Sequence, residues 1–292
     1  MKPGAVWLFG VLALAGGARA AAPDAVLPLE PYQDRQFALR AALHGHPGLF
    51  LFDTGEGMTM ITPALAAAIG CVPWGNITAL RMLGERLDTP RCDNVRFAMP
   101  GGPFTAEEAI IYDLGIIAGK DAPALQGAIG LDVFAGRIIT IELAQHRLIV
   151  ENAASLAARV RHATAVPVRI VRASDGASLE VFLGVATPRG TAWMELDTGN
   201  AGPTIFVSRA MAPLLGLDDA NTAPKDAKRQ PATLNFGPGI RFSGLARVFP
   251  GMVEDGNIGV QFLRNWDLTV DLAHARAWMA PVKQAASSSL NR

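Results

Sequence analysis

The chain has 292 residues, half of them hydrophobic and 18% charged, with 26 basic side chains against 26 acidic ones and two cysteines. That length exceeds one small domain and falls short of three. The apolar content excludes a disordered chain, the charge balance lacks the basic surplus of a nucleic-acid binder, and two cysteines cannot staple a disulfide-dense scaffold, so packing must carry the stability.

The first element in chain order is not part of the fold. Lys2 precedes an apolar run over residues 5–15 (AVWLFGVLALA), and Ala18-Arg19-Ala20 fits an A-x-A cleavage site. This pattern predicts a secretory signal peptide over residues 1–20, with an uncleaved anchor as the alternative. The run is short for a bilayer span, and no later stretch reaches ~18 uninterrupted apolar residues. The mature chain is therefore expected to make no stable membrane insertion and to reside in the periplasm or outside the cell. Export bears on Cys71 and Cys92, which lie 21 positions apart. An oxidising compartment favours their pairing, and closing that loop restricts the unfolded chain by about 3 kcal/mol in the chain-entropy account; two separately buried thiols are the alternative. The five histidines show no ligand spacing, so no metal and no cofactor is expected.

The remaining elements read mostly as strand and turn, which predicts an all-β fold of twisted antiparallel sheets with short helices. Alternating apolar and polar residues mark strands at Gln36–Leu43, 95–99, 138–143 and 179–185. Residues 48–62 (GLFLFDTGEGMTMIT) and 191–208 (TAWMELDTGNAGPTIFVS) share a plan of apolar strand, Asp-Thr-Gly and second β-type run. After each comes a helix-compatible segment ending in glycine, 63–70 and 208–216, the latter with Ser208 as candidate N-cap. Further on, residues 128–150 match residues 257–279 without a gap. Ile129, Gly130, Thr140, Leu143, Ala144 and Arg147 recur 129 positions later as Ile258, Gly259, Thr269, Leu272, Ala273 and Arg276. A repeat of that period means duplicated domains, not a solenoid. Residues 153–165, small and poor in bulky side chains, are the expected connection between lobes 21–152 and 166–282, and residues 283–292 an expected disordered tail. Lys225, Lys228 and Arg229, with Asp226 among them, read as a solvated loop.

One Asp-Thr-Gly is an ordinary turn. Two copies, each followed by an apolar-apolar-glycine element (Ala128-Ile129-Gly130, and Ile258-Gly259 after the polar Asn257), resemble the two lobes of the pepsin-like and retropepsin-like aspartic proteases. The resemblance spans about Gln36 to about Met279 and implies two related β-barrel-like lobes whose psi-shaped loops meet at a pseudo-twofold axis. It implies that Asp53 and Asp197 form a catalytic dyad acting on a peptide or protein substrate. Two carboxyls about 3 Å apart cannot both ionise, so one serves as base and the other as acid. It further implies that Thr54 and Thr198 hydrogen-bond across the axis, and that Gly55 and Gly199 allow close backbone approach and aim N–H donors at the aspartates. One chain supplies both aspartates, so a monomer is expected.

From Asp53 to Gly130 is 77 positions, and from Asp197 to Gly259 only 62. The extra length lies where the family carries a substrate-covering hairpin. Residues 80–87, with Met82, Leu83 and Gly84 at the tip, are the candidate; an ordinary surface hairpin is the alternative. No tyrosine occupies it, so the family's flap tyrosine has no counterpart. Two further departures flank the dyad, where the family usually has a small residue: Glu56 and Asn200. Glu56 is expected to turn outward and line a subsite suited to a basic substrate side chain; turned inward, it would raise the dyad's apparent pKa by like-charge repulsion. Asp132, after Gly130, is expected to be structural, and Gln261 replaces it in the second lobe. No G-x-S-x-G or phosphate-cradling glycine loop competes. The leading expectation is an exported bacterial aspartic endopeptidase. A catalytically silent peptide-binding protein of the same fold is the alternative, and a structural envelope component stands third.

Overall fold

The computed structural model describes residues 21–33, 35–116, 122–218 and 228–282. The expected signal peptide, the expected tail and Lys225 and Asp226 lie outside the described residues. Among those described, strands dominate and helices are short, as the alternation in the sequence requires. No helix among them is long and apolar enough to cross a membrane.

Three sheets organise the chain. One, of eight strands, belongs to the first half, and one of seven strands to the second. At the centre of each lies the same threading. The strand Gly127–Ile129 runs between His46–Phe52, to which it is parallel, and Met60–Ile61, to which it is antiparallel. In the second lobe Gly256–Ile258 runs between Gly190–Leu196 and Thr204–Ser208 in the same senses. These two psi-shaped arrangements correct the expectation of purely antiparallel sheets. A strand inserted between the two arms of one turn must be parallel to one of them. Met60–Ile61 and Thr204–Ser208 each also run parallel to a long neighbour, Gly102–Ile111 and Ile240–Phe249.

The third sheet is shared. Its six strands run in the order Ala25–Pro28, Arg147–Glu151, Ile138–Glu142, Trp266–Asp271, Arg276–Pro281 and Thr164–Val166, three from each half. The halves meet where Ile138–Glu142 pairs antiparallel with Trp266–Asp271, placing Thr140 opposite Thr269. Their hydroxyl oxygens lie 2.9 Å apart. These two residues are equivalent in the 129-residue repeat, so the pseudo-twofold axis passes between them. The repeat extends to ion pairs: Glu142 binds Arg147, and Asp271 binds Arg276 at 2.6 Å. Arg159 adds a bridge to Glu142 at 2.6 Å and to Glu151 at 2.5 Å, covering two carboxylates whose side chains are almost wholly buried.

Above this sheet the core is continuous through both lobes. Phe50, Phe52, Phe97, Phe104 and Phe134 fill the first, with Phe50 and Phe97 edge to face, and Phe236 and Phe262 anchor the second. Each such side chain contributes roughly 2–3 kcal/mol by leaving water. The segment 153–165 begins as a helix, α1 (Ala153–Val160), capped by Asn152, which accepts from the backbone N–H groups of Ala154 and Ser155. Residues 63–68 are helical behind the Thr62 cap, but 208–216 holds only a 3-10 turn at Ala212–Leu215. Ser208 closes a strand there, and Pro213 has no N–H to continue a helix.

The extra length of the first lobe forms an additional edge strand. Trp74–Leu80 pairs with Arg86–Met99 through a turn at residues 81–85, and among the described residues the seven-stranded sheet has no equivalent of it. Cys71 and Cys92 are bonded, with Cα atoms 6.0 Å apart, tying the base of this hairpin to the end of the preceding helix.

Candidate active site

The two Asp-Thr-Gly turns come together at the top of the shared sheet. Each aspartate enters from the end of an apolar strand whose next backbone donor is held by the psi-loop strand. Asp53 N–H bonds Ile129 O at 3.1 Å, and Asp197 N–H bonds Ile258 O at 2.9 Å. The threonines interlock across the axis. Thr54 N–H donates to Thr198 Oγ1 and Thr198 N–H to Thr54 Oγ1, both at 3.0 Å. Thr54 Oγ1–H in turn reaches Leu196 O, and Thr198 Oγ1–H reaches Phe52 O, both at 2.7 Å. Both threonines are wholly buried. Four reciprocal bonds thus fix one turn against the other, and neither aspartate can shift alone.

Close approach explains the glycines. A Cβ on Gly55 would stand 2.6 Å from Asp197 Cγ, and one on Gly199 2.3 Å from Asp53 Oδ2. Without side chains, Gly55 N–H and Gly199 N–H both donate to Asp53 Oδ1 at 3.1 Å. The second lobe differs. Asp197 Oδ1 accepts from Asn200 N–H at 3.0 Å, and Asp197 Oδ2 from the Asn257 side-chain amide at 2.7 Å. Burial, then the Asp197 charge, pushes the Asp53 carboxyl well above the ordinary carboxylate range, against the two glycine N–H donors.

Glu56 follows the first turn with part of its surface exposed, near enough to the dyad to feel its charges. Burial pushes its carboxyl well above the usual range, and the charges of Asp53, Asp197 and Asp132 add to this, with Arg81 on the hairpin opposing. Gly57, in the left-handed region at φ 68°, turns the chain just after Glu56. Asn200 is buried, and its amide nitrogen donates to Thr204 O at 3.2 Å and Asn257 Oδ1 at 2.8 Å. It faces the interior and not a subsite. Asp132 accepts from Thr59 N–H at 2.9 Å and Thr59 Oγ1–H at 2.7 Å, bracing the psi-loop.

The hairpin turn reaches across to the opposite lobe. Gly84 lies at its tip with φ 84°, and Met82 O accepts from Val253 N–H at 3.2 Å. Met82 and Leu83 are half-buried and Gly84 is exposed.

The motifs did not reveal four residues around the dyad. Glu180, Glu195 and Glu254 come from the second lobe, and burial raises the carboxyl of each. For Glu195 the Asp197 charge is the next cause. Asn257, wholly buried, is the fourth. The one available signal was that Asn257 is polar where its repeat counterpart is Ala128.

Threading, shared sheet and paired turns together define the pepsin-like aspartic protease fold. Among solved structures, the chain is similar to basic 7S globulin from soybean, at 11% identity and a TM-score of 0.53, with 88% of this chain and 94% of that one covered. Conglutin gamma, a basic 7S globulin from lupine seeds, matches at 10% identity and a TM-score of 0.52, covering 88% and 94%. The protein titled edgp matches at 10% identity and 0.54, covering 89% and 95%. Identities this low define the fold alone. No family model matches the chain, and no curated protein is similar to it in sequence.

Proposed function

We propose that this chain is an aspartic-type endopeptidase that hydrolyses a peptide lying extended in the cleft beneath the hairpin. One observation carries the reading: two neighbouring carboxyls, Asp53 and Asp197, on turns locked together by the reciprocal threonine bonds, with burial and the Asp197 charge raising the Asp53 carboxyl. Such a pair holds one proton. The Asp197 carboxylate takes a proton from a water as its oxygen attacks the scissile carbonyl carbon, while Asp53 gives its proton to the carbonyl oxygen. The diol collapses as Asp197 returns its proton to the amide nitrogen and one diol hydroxyl gives its proton back to Asp53, and the C–N bond breaks to release the amine and the carboxylic acid. No covalent acyl-enzyme forms. The Cys71–Cys92 bond supports an oxidising compartment, the periplasm or the cell exterior, and two aspartates on one chain support a working monomer.

The second reading, peptide binding without cleavage, draws on Glu56. Its carboxyl beside the dyad is a competitor for the water and proton that hydrolysis needs. Incubation of the mature chain with a denatured-protein and peptide library, from about pH 3 to about pH 8, separates the two. Hydrolysis predicts cleavage abolished by Asp53→Asn and by Asp197→Asn. Cleavage surviving either substitution refutes the dyad, and peptide binding without cleavage at any pH selects the second reading.

A further inference from the structure

Asn257 sits on the psi-loop strand Gly256–Ile258, wholly buried, where its repeat counterpart is an alanine. Its amide is oriented without ambiguity by what surrounds it. Oδ1 accepts from Asn200 Nδ2 at 2.8 Å, so the nitrogen points the other way. That nitrogen donates one hydrogen to Asp197 Oδ2 at 2.7 Å and the other to Glu195 Oε2 at 3.0 Å. A buried amide shared by two carboxyls, neither with a cation beside it in these contacts, is costly unless the arrangement serves the carboxyl it touches. Asp53 has no such partner. Its donors are backbone N–H groups, so the second lobe alone grips the outer oxygen of its aspartate with a side chain.

We propose that Asn257 is the positioning residue that makes the dyad asymmetric: anchored on Asn200, its amide holds Asp197 as the ionised, water-activating member and leaves the proton on Asp53. The inference rests on the reading of Asp53 and Asp197 as a working pair. Glu195 completes the device by taking the second amide hydrogen and fixing the rotamer. Among the described residues, the charges that bear most on Glu56 and Glu195 on either side of Asp197 are acidic except for Arg81 on the hairpin: Asp53, Asp132, Asp197, Glu180 and Glu254. In an environment so short of cations, a neutral donor is what stabilises a carboxylate without drawing counter-charge into the cleft.

The test is a carboxyl titration of carbon-13-labelled aspartate by NMR, with the Asp197 signal assigned by its loss in Asp197→Asn. In Asn257→Leu the Asp197 titration is expected to move up by roughly one to two pH units, the share of a charge-assisted hydrogen bond. Asn257→Ala puts at this position the residue that the first lobe carries there, Ala128, and removes the donor without adding a charge. It is expected to move the titration up as well, and it reports even if the leucine variant does not fold. A purely structural role predicts that the folded alanine variant leaves Asp197 unmoved; that result overturns the proposal. The titration needs no turnover, so a wild type that cleaves nothing counts against the proposed hydrolysis while the role of Asn257 is still decided. Where the wild type turns over, Asn257→Leu is expected to lower kcat by about 10–100-fold with KM within about threefold, and to shift the acidic limb of the rate profile upward.

Discussion

Asp132 gives the cleanest link between a buried group and the pH dependence of stability. It is 6% exposed, and although two donors from Thr59 favour its charged form, burial outweighs them and raises its pKa from 3.8 to about 6. Between those values the folded chain keeps a proton that the unfolded chain releases. Stability is therefore greatest below the lower value and falls as pH rises through the window, the loss being complete above about pH 6. The two-unit gap amounts to about 3 kcal/mol in total, of which about 1 kcal/mol returns on going from about pH 7 to about pH 5. Asp132→Asn removes the titration. Urea denaturation of both proteins at several pH values between about 4 and 7 should show the stability of wild type relative to the variant falling by about 1 kcal/mol from about pH 5 to about pH 7. Raised carboxyls at Asp53, Glu180, Glu195 and Glu254 tilt both proteins alike, so the difference reports Asp132 together with its charge effect on Glu56. A pH-independent loss of hydrogen bonding to Thr59 offsets the two curves without changing their separation with pH. A separation constant across the window refutes the assigned shift.

Gly199→Ala places a methyl group 2.3 Å from Asp53 Oδ2 and should leave a folded chain with peptidase activity down at least about 100-fold, read by kcat/KM and circular dichroism. Reduction of Cys71–Cys92, or its replacement by two serines, should cost about 3 kcal/mol, seen as a lower urea midpoint; an unchanged midpoint contradicts a stabilising crosslink. Arg159→Ala leaves the buried Glu142 and Glu151 short of their shared cation and should destabilise by about 3 kcal/mol, more at neutral than at acid pH, as thermal melts would report.

The fold was legible where it is written as a contiguous pattern. The doubled Asp-Thr-Gly and the ungapped 129-residue repeat carry it, and the structure sets Thr140 against Thr269 as the repeat requires. The parallel pairings were not legible, because alternation marks a strand without saying between which arms it threads. The short turn at 212–215 was misread as a fuller helix because apolar spacing outweighed Pro213. Asn257 stood in plain view, but its partner Asp197 is 60 positions away, and only the psi-loop brings them together.

The floor and the roof of the cleft differ in how firmly they are fastened. The floor is a sheet continuous through both halves, so parting the lobes would mean breaking backbone pairing along Ile138–Glu142 and its partner strand. The roof is a hairpin anchored at its base by a covalent crosslink and touching the far lobe through the Met82–Val253 backbone bond beside Gly84 and Gly251. Releasing such a bond costs about 1 kcal/mol. On the proposed function, a peptide would enter by lifting the tip, a motion the crosslink would confine to the outer half of the hairpin, while the aspartates stay in register.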